Sequence, residues 1–203
     1  MKRIGVLISG RGTNLQALID AQQRGELGGE IVIVISNKSK AMGLERARKA
    51  GINTEIITKK QYPVREDHDR AVVEALKAHR VDLVVLAGYM RILTEVFIDA
   101  FRDRIINVHP SLLPAFKGVK AQWQAVEYGV KVSGCTTHFV TLDMDAGPII
   151  LQKAVPVFDD DTGETLAERI LPEEHRILVR SVRLFCEDKL VIEGRRVRIL
   201  EGE

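Results

Sequence analysis

Apolar residues follow two rhythms along this chain. Short unbroken runs at residues 2–8, 30–35, 83–87 and 105–108 carry few polar positions, which is how strands buried on both faces of a parallel sheet read. Between them, apolar residues return every third or fourth position, as in Leu15, Leu18 and Ile19 or Val72, Val73 and Leu76. The helical stretches so predicted start just after Asn14 and cover 42–50, 65–80, 94–102 and 121–128, with Gly51 and Gly129 as C-terminal stops and Thr94 as an N-terminal cap. A further short strand is predicted at 54–58. Strand and helix alternate, which implies an α/β, Rossmann-like, mostly parallel twisted sheet with helices on both faces.

The rhythm changes past residue 130. Residues 132–142 and 149–157 read as two long strands joined by a turn, Asp143-Met144-Asp145-Ala146-Gly147-Pro148. Asp159-Asp160-Asp161 reads as a solvated loop. Residues 162–184 form one long helix that Pro172 kinks or interrupts. Two short strands meeting at Gly194 close the pattern as a terminal hairpin. We read residues 1–203 as one domain, with a nucleotide-binding half at 1–110 and a second half at 111–203.

Composition narrows the class. Hydrophobic residues make up 45% and charged residues 29%, so the chain is globular and not disordered. A net charge of +2 argues against nucleic acid or a membrane surface as partner. No apolar run has the length of a membrane span. The first strand begins at Lys2 without a signal-peptide layout, so a cytoplasmic location is the default expectation. Cys135 and Cys186 lack metal-ligand spacing and read as ordinary buried thiols, and the five histidines contain no HxxxH pair, so no metal site is expected.

Candidate chemistry concentrates at strand ends. Asn107 and His109 are two apart on a strand that stops at Pro110, so both project to one side at its carboxyl end, where α/β sheets bind ligands. They either cap the strand end or handle charge developing on a substrate carbonyl. An imidazole beside a carboxylate, from Asp143 or Asp145, favours its protonated form, and with an amide N–H it can stabilise an oxyanion or pass a proton. The stretch Ser9-Gly10-Arg11-Gly12-Thr13-Asn14 is a glycine-rich turn that opens a helix, a suitable phosphate cradle. A dinucleotide fingerprint would need glycine where Leu15 stands, and no acid follows the second strand, only Ser36-Asn37-Lys38-Ser39-Lys40. A monophosphate fits better, and an NADP-dependent oxidoreductase stays open as the alternative. Gly88-Tyr89-Met90-Arg91-Ile92-Leu93 either lines a pocket for a flat, partly charged ligand or packs under a loop. Ser111 follows His109 without any mark of activation, and no GxSxG motif points to a hydrolase triad. His138 reads as a structural or supporting histidine. Asp67, His68, Asp69, Arg70 and His79 read as solvated surface.

Taken together, Ile106-Asn107-Val108-His109-Pro110-Ser111-Leu112-Leu113-Pro114 and Asp145-Ala146-Gly147-Pro148-Ile149 resemble the folate-dependent formyltransferases. Gly10 to Ala17, Ser36-Asn37, Ala87 to Leu93 and Glu174-His175 extend the likeness along nearly the whole chain, toward the branch that formylates glycinamide ribonucleotide in purine synthesis. The resemblance implies a catalytic trio of Asn107, His109 and Asp145. It implies that Gly12, Thr13 and Asn14 hold the ribonucleotide phosphate and Glu174 its ribose. It implies folate binding by Arg65, by Met90, Arg91, Ile92 and Leu93, by Asn107, and by the turn Thr141, Leu142, Asp143, Met144 and Asp145, which makes residues 111–203 the folate-binding half. The implied formyl donor is 10-formyltetrahydrofolate, with no metal, small-molecule partners only and a possible homodimer. Other folate formyltransferases or hydrolases on this fold remain alternatives; those relatives carry an additional domain, for which the chain offers no room. Three positions depart from the family pattern. Lys117 and Lys120 stand where proline and a histidine near the catalytic acid are usual, and Leu171-Pro172 precede Glu173-Glu174 where polar residues are common. A lysine near Asp145 is expected to compete with His109 for that carboxylate or to point to solvent.

Overall fold

The structure is a computed structural model that describes residues 1–200. Its sheet has nine strands in the order β3-β2-β1-β4-β5-β6-β7-β9-β8. The first five, β1 (Lys2–Ile8), β2 (Gly29–Ser36), β3 (Asn53–Ile56), β4 (Leu83–Leu86) and β5 (Ile105–His109), pair in parallel. Then β6 (Val132–Phe139) pairs antiparallel with β5, and β7 (Ile149–Pro156) antiparallel with β6. The terminal hairpin of β8 (Leu190–Glu193) and β9 (Arg196–Ile199) joins the edge through a single parallel bridge between Ile149 and Arg196.

Helices cover both faces, which is why the central strands could be apolar throughout. On one face, Ile4, Val6, Ile8, Val85 and Ile106 pack with α1 (Thr13–Gln23), α2 (Met42–Lys49) and α6 (Gly163–Cys186). On the other, Leu7, Ile33, Ile35, Val84 and Ile105 pack with α3 (Arg65–Ala78) and α4 (Glu95–Ala100). Strand alternation assigns neighbours such as Val6 and Leu7 to opposite cores. Helix α5 (Ala121–Tyr128) and α6 build a third cluster with Cys135, Val155 and Ile170. No helix among the described residues is long and apolar enough to cross a membrane.

Several sequence expectations need correcting. His68 and Asp69 are buried, at 0% and 1% exposure, and His79 is half-buried. Asp161 turns inward. It takes two hydrogen bonds from the Arg169 guanidinium, at 2.6 and 2.8 Å, and accepts from the Phe158 N–H and the Thr165 hydroxyl. Arg169 therefore holds the Asp161 carboxyl well below the usual range. Helix α6 runs unbroken through Pro172, started by a capping box between Thr162 and Thr165. Strand β6 stops at Phe139 instead of residue 142, and α4 ends at Ala100. Thr94 occupies the N-cap position of α4, but its hydroxyl donates to Asp69 and not to the helix.

The chain runs outward from β1 to β2 and β3, then crosses back to β4 and β5. That reversal opens a crevice beyond the carboxyl ends of β1 and β4, the place where such sheets bind ligands.

Candidate active site

Asn107 and His109 end β5, with Asn107 half-buried and His109 5% exposed. The antiparallel partner β6 places His138 directly opposite Asn107 and Thr136 opposite His109. The His138 Nδ1–H donates to the Phe139 carbonyl at 3.0 Å, which leaves Nε2 bare, 3.3 Å from the Asn107 amide nitrogen. Burial holds the His138 imidazole below its ordinary pKa, so it accepts from Asn107 as a neutral ring. The Asn107 amide is thereby oriented, with one N–H spent on His138 and one left to offer.

Asp145 arrives from the turn after β6. Its backbone is left-handed, with φ of 50°, a conformation that a non-glycine residue keeps only when its surroundings enforce it. Three contacts do so. The Gly118 N–H donates to Asp145 Oδ2 at 2.8 Å, and Arg195 of the terminal hairpin donates to the Ala146 carbonyl at 2.9 Å. Gly147 lies so close to β6 that a Cβ there would stand 1.7 Å from the Phe139 carbonyl oxygen. The carboxylate then faces two histidines, with His109 Nδ1 at 3.6 Å from Oδ2 and His138 Nε2 at 4.0 Å from Oδ1. His109 uses its other nitrogen as a donor to the Phe116 carbonyl at 2.8 Å. Both sides of the imidazole are thus occupied, by a carboxylate and by a carbonyl. Lys117 and Lys120 are exposed, and neither forms an ion pair with Asp145 among the described residues. Asp143 is also exposed and lies away from the trio's contacts.

The loop between β5 and α5 is fixed by polar contacts as well as by its prolines. Thr136 donates to the Ser111 carbonyl at 2.7 Å and accepts from the Leu113 N–H at 3.1 Å, while Gln152 donates to the Leu113 carbonyl at 2.9 Å. Ser111 is fully buried and donates to the Ala115 carbonyl, so it is a structural hydroxyl.

At the end of β1, Gly12 is the left-handed N-cap of α1, with φ of 72°. A Cβ there would meet the Gly43 Cα at 2.6 Å, so the turn and α2 approach closely enough to require glycine on both sides. Thr13 and Asn14 open α1, and no side chain caps it, which leaves its first N–H groups available to an anion. A cleft of about 300 Å³ lies over this turn, lined by residues 9–14, Lys38, Ala87, Gly88 and Met90. Glu174 of α6 is 7% exposed and is hydrogen-bonded by the Asn14 side chain. Burial pushes its carboxyl up to about 7, partly offset by that bond. The Asn14 Oδ1 is buried without a partner.

The expected folate segments carry unusual apolar exposure. Met90 is 64% and Ile92 57% exposed, and in the turn after β6 Leu142 is 54% and Met144 50% exposed. Arg65 donates to the Ile92 carbonyl at 3.0 Å. Large exposed apolar side chains grouped on irregular segments mark surfaces that take a partner molecule.

Sequence reasoning named Asn107, His109, Asp145, Gly12, Thr13, Asn14 and Glu174; the structure brings Asp145 to His109 and the Asn14 side chain to Glu174, and sets Asn107 against His138. His138, read as a structural or supporting histidine, is the group that orients Asn107. The signal available was strand pairing, since an antiparallel hairpin beside β5 must set some β6 residue across from Asn107. Sequence reasoning missed the Phe116 carbonyl and the Gly118 N–H, because backbone groups leave no trace in residue identity.

Residues 2–182 match the family model described as formyl transferase. The chain is 43% identical over 187 residues to the phosphoribosylglycinamide formyltransferase of Escherichia coli strain K12, covering 92% of this chain and 88% of that one. It is 50% identical over 182 residues to the trifunctional purine biosynthetic protein adenosine-3 of Homo sapiens, covering 90% of this chain but only 18% of that protein. Among solved structures, glycinamide ribonucleotide transformylase 1 from Symbiobacterium toebii superposes with a TM-score of 0.98 at 58% identity, over 99% of this chain and 95% of that one. With a family model spanning most of its length and full-length relatives well above 30% identity, the chain belongs to the formyl transferase family, among the phosphoribosylglycinamide formyltransferases.

Proposed function

We propose that this chain transfers the formyl group of 10-formyltetrahydrofolate to the amine of 5′-phosphoribosylglycinamide. The observation that carries this reading is the approach of Asp145 to His109 at the end of β5, two residues from Asn107, in a chain that also carries a turn suited to phosphate and exposed apolar segments suited to a flat ring. Gly12, Thr13 and Asn14 take the phosphate on free N–H groups, and the buried Glu174 carboxyl takes the ribose hydroxyls. Arg65, residues 90–93 and residues 141–145 receive the folate. Under this reading both halves of the chain serve both ligands, since Arg65 lies in 1–110 and Glu174 in 111–203.

The amine nitrogen of glycinamide attacks the formyl carbon, and the carbonyl electron pair becomes an oxyanion. The free N–H of Asn107 donates to that oxygen. His109, carrying a second proton opposite Asp145, supplies positive charge beside it. Its Nε2–H is held by the Phe116 carbonyl, so donation to the oxyanion exchanges one hydrogen bond for another. The intermediate collapses by breaking the bond from the formyl carbon to the folate nitrogen, which receives the proton that the amine gives up. The substrate supplies the nucleophile, so no covalent enzyme intermediate forms.

The test is an absorbance assay of folate release with purified protein. Turnover is expected only when both substrates are present, with formylated ribonucleotide as the product. A correctly folded chain that releases no folate from this pair refutes the reading.

A further inference from the structure

Residues 88–94, between β4 and α4, have no regular ladder of backbone hydrogen bonds. Backbone groups in such a segment need partners from elsewhere. Ser9 Oγ accepts from the Met90 N–H at 2.8 Å, and Arg65 donates to the Ile92 carbonyl at 3.0 Å. The strongest anchor is Asp69 Oδ2, which accepts from both the Thr94 N–H, at 2.7 Å, and the Thr94 hydroxyl, at 2.8 Å. Arg65 and Asp69 are one turn apart on α3, so a single helix face grips the segment twice. His68 Nδ1 stands 3.6 Å from the other Asp69 oxygen while its Nε2 donates to the Ile57 carbonyl at 2.7 Å, tying this face to the end of β3. The segment answers with an alternation: Tyr89 and Leu93 are buried, Met90 and Ile92 exposed.

A buried carboxylate is a poor device for stability alone, because an apolar pair of the same shape is often as good or better. Its value is directional, since it accepts only from donors presented at one angle and distance. We propose that Asp69 is a positioning residue for the folate, which through Thr94 fixes residues 88–94 so that Met90 and Ile92 face the ligand. This rests on the reading of residues 90–93 as the folate wall.

The experiment compares steady-state kinetics of the full chain with Thr94→Val, Asp69→Asn and, as a control on the same helix, Asp67→Ala. Asp67 is exposed and, among the described residues, pairs with Arg70 on its own helix alone. Charge-assisted bonds are roughly twice as strong as neutral ones, so Asp69→Asn is expected to raise KM for the formyl donor about tenfold. Thr94→Val, which keeps the N–H and removes one donor, is expected to raise it about fivefold. KM for the ribonucleotide and kcat at saturating donor stay within about twofold of wild type in both, and Asp67→Ala matches wild type. Thr94→Val carries the test if Asp69→Asn fails to fold. Unchanged donor KM with only a lowered Tm, or equal rises in both KM values, overturns the proposal. A wild-type chain without formyl transfer overturns the function itself, and the proposal with it.

Discussion

Glu174→Gln is the substitution whose consequences the structure defines most fully. The carboxyl is 7% exposed and receives one side-chain hydrogen bond, from Asn14, and burial raises it from 4.5 to about 7. At about 1.4 kcal/mol per pH unit, that gap amounts to about 3 kcal/mol of differential stability. The folded state holds the proton more tightly than the unfolded chain, so the penalty is absent below about 4.5, grows as pH rises through the window, and is complete above about 7. Glutamine imitates the protonated acid at every pH. The variant and wild type are therefore expected to be about equally stable at pH 4.5, and the variant up to about 3 kcal/mol more stable at pH 8. Urea denaturation of both proteins in half-unit steps across this range gives the difference directly, and groups common to both cancel. A difference that does not change with pH, or one that favours wild type increasingly as pH rises, refutes the reasoning. Under the proposed function the same variant loses a charged acceptor for the ribose, so KM for the ribonucleotide is expected to rise about tenfold. Stability and affinity then move in opposite directions, as expected of a group kept for binding.

Asn107→Ala and Asp145→Asn are each expected to fold normally and lose about a hundredfold or more in kcat, measured by folate release; near-wild-type turnover in both would discard the trio. Asn14→Ala should weaken ribonucleotide binding by calorimetry, because it removes both the hydrogen bond to Glu174 and an unpartnered buried acceptor, and an unchanged Kd counts against the phosphate turn. Gly147→Ala forces a Cβ onto the Phe139 carbonyl and should displace Asp145, visible as a loss of about a hundredfold in kcat measured well below the variant's Tm. Lys120 sits at the N-cap of α5 with φ of 55° and its side chain exposed, so Lys120→Gly should stabilise by about 1 kcal/mol in thermal unfolding and leave kcat unchanged.

The fold was readable where one force decides the outcome. Runs such as residues 2–8 and 83–87 have a single solution, burial between helix layers, and the five parallel strands follow from it. The reading failed where polar residues fold inward. Asp69 and Asp161 lie in charge-rich stretches that look solvated, yet each has a donor further along the chain, Thr94 for one and Arg169 in the following helix for the other. Composition cannot reveal such a pair before the backbone brings it together. Asn107 and His109 were legible because two positions on one strand share a side whatever the topology. The path of Asp145 to them was not, since it depends on a left-handed residue, a glycine with no room for a Cβ and an arginine from the last hairpin. The feared competition from Lys120 fails for a similar reason: its own left-handed backbone starts α5, and its side chain is exposed.

Ser9 has one proton and gives it to Asn37 at 2.5 Å, while its oxygen receives the Met90 N–H at 2.8 Å. It stands at the start of the phosphate turn and holds the start of the folate wall. On the proposed reading, the two ligands meet the protein on either side of this single hydroxyl. A shift of Ser9 on phosphate binding would act on Met90 through this bond, and any coupling so produced is reciprocal by thermodynamic necessity. Under the proposed function, the two substrates are then expected to bind with linked affinities, each raising or lowering the other's by the same factor.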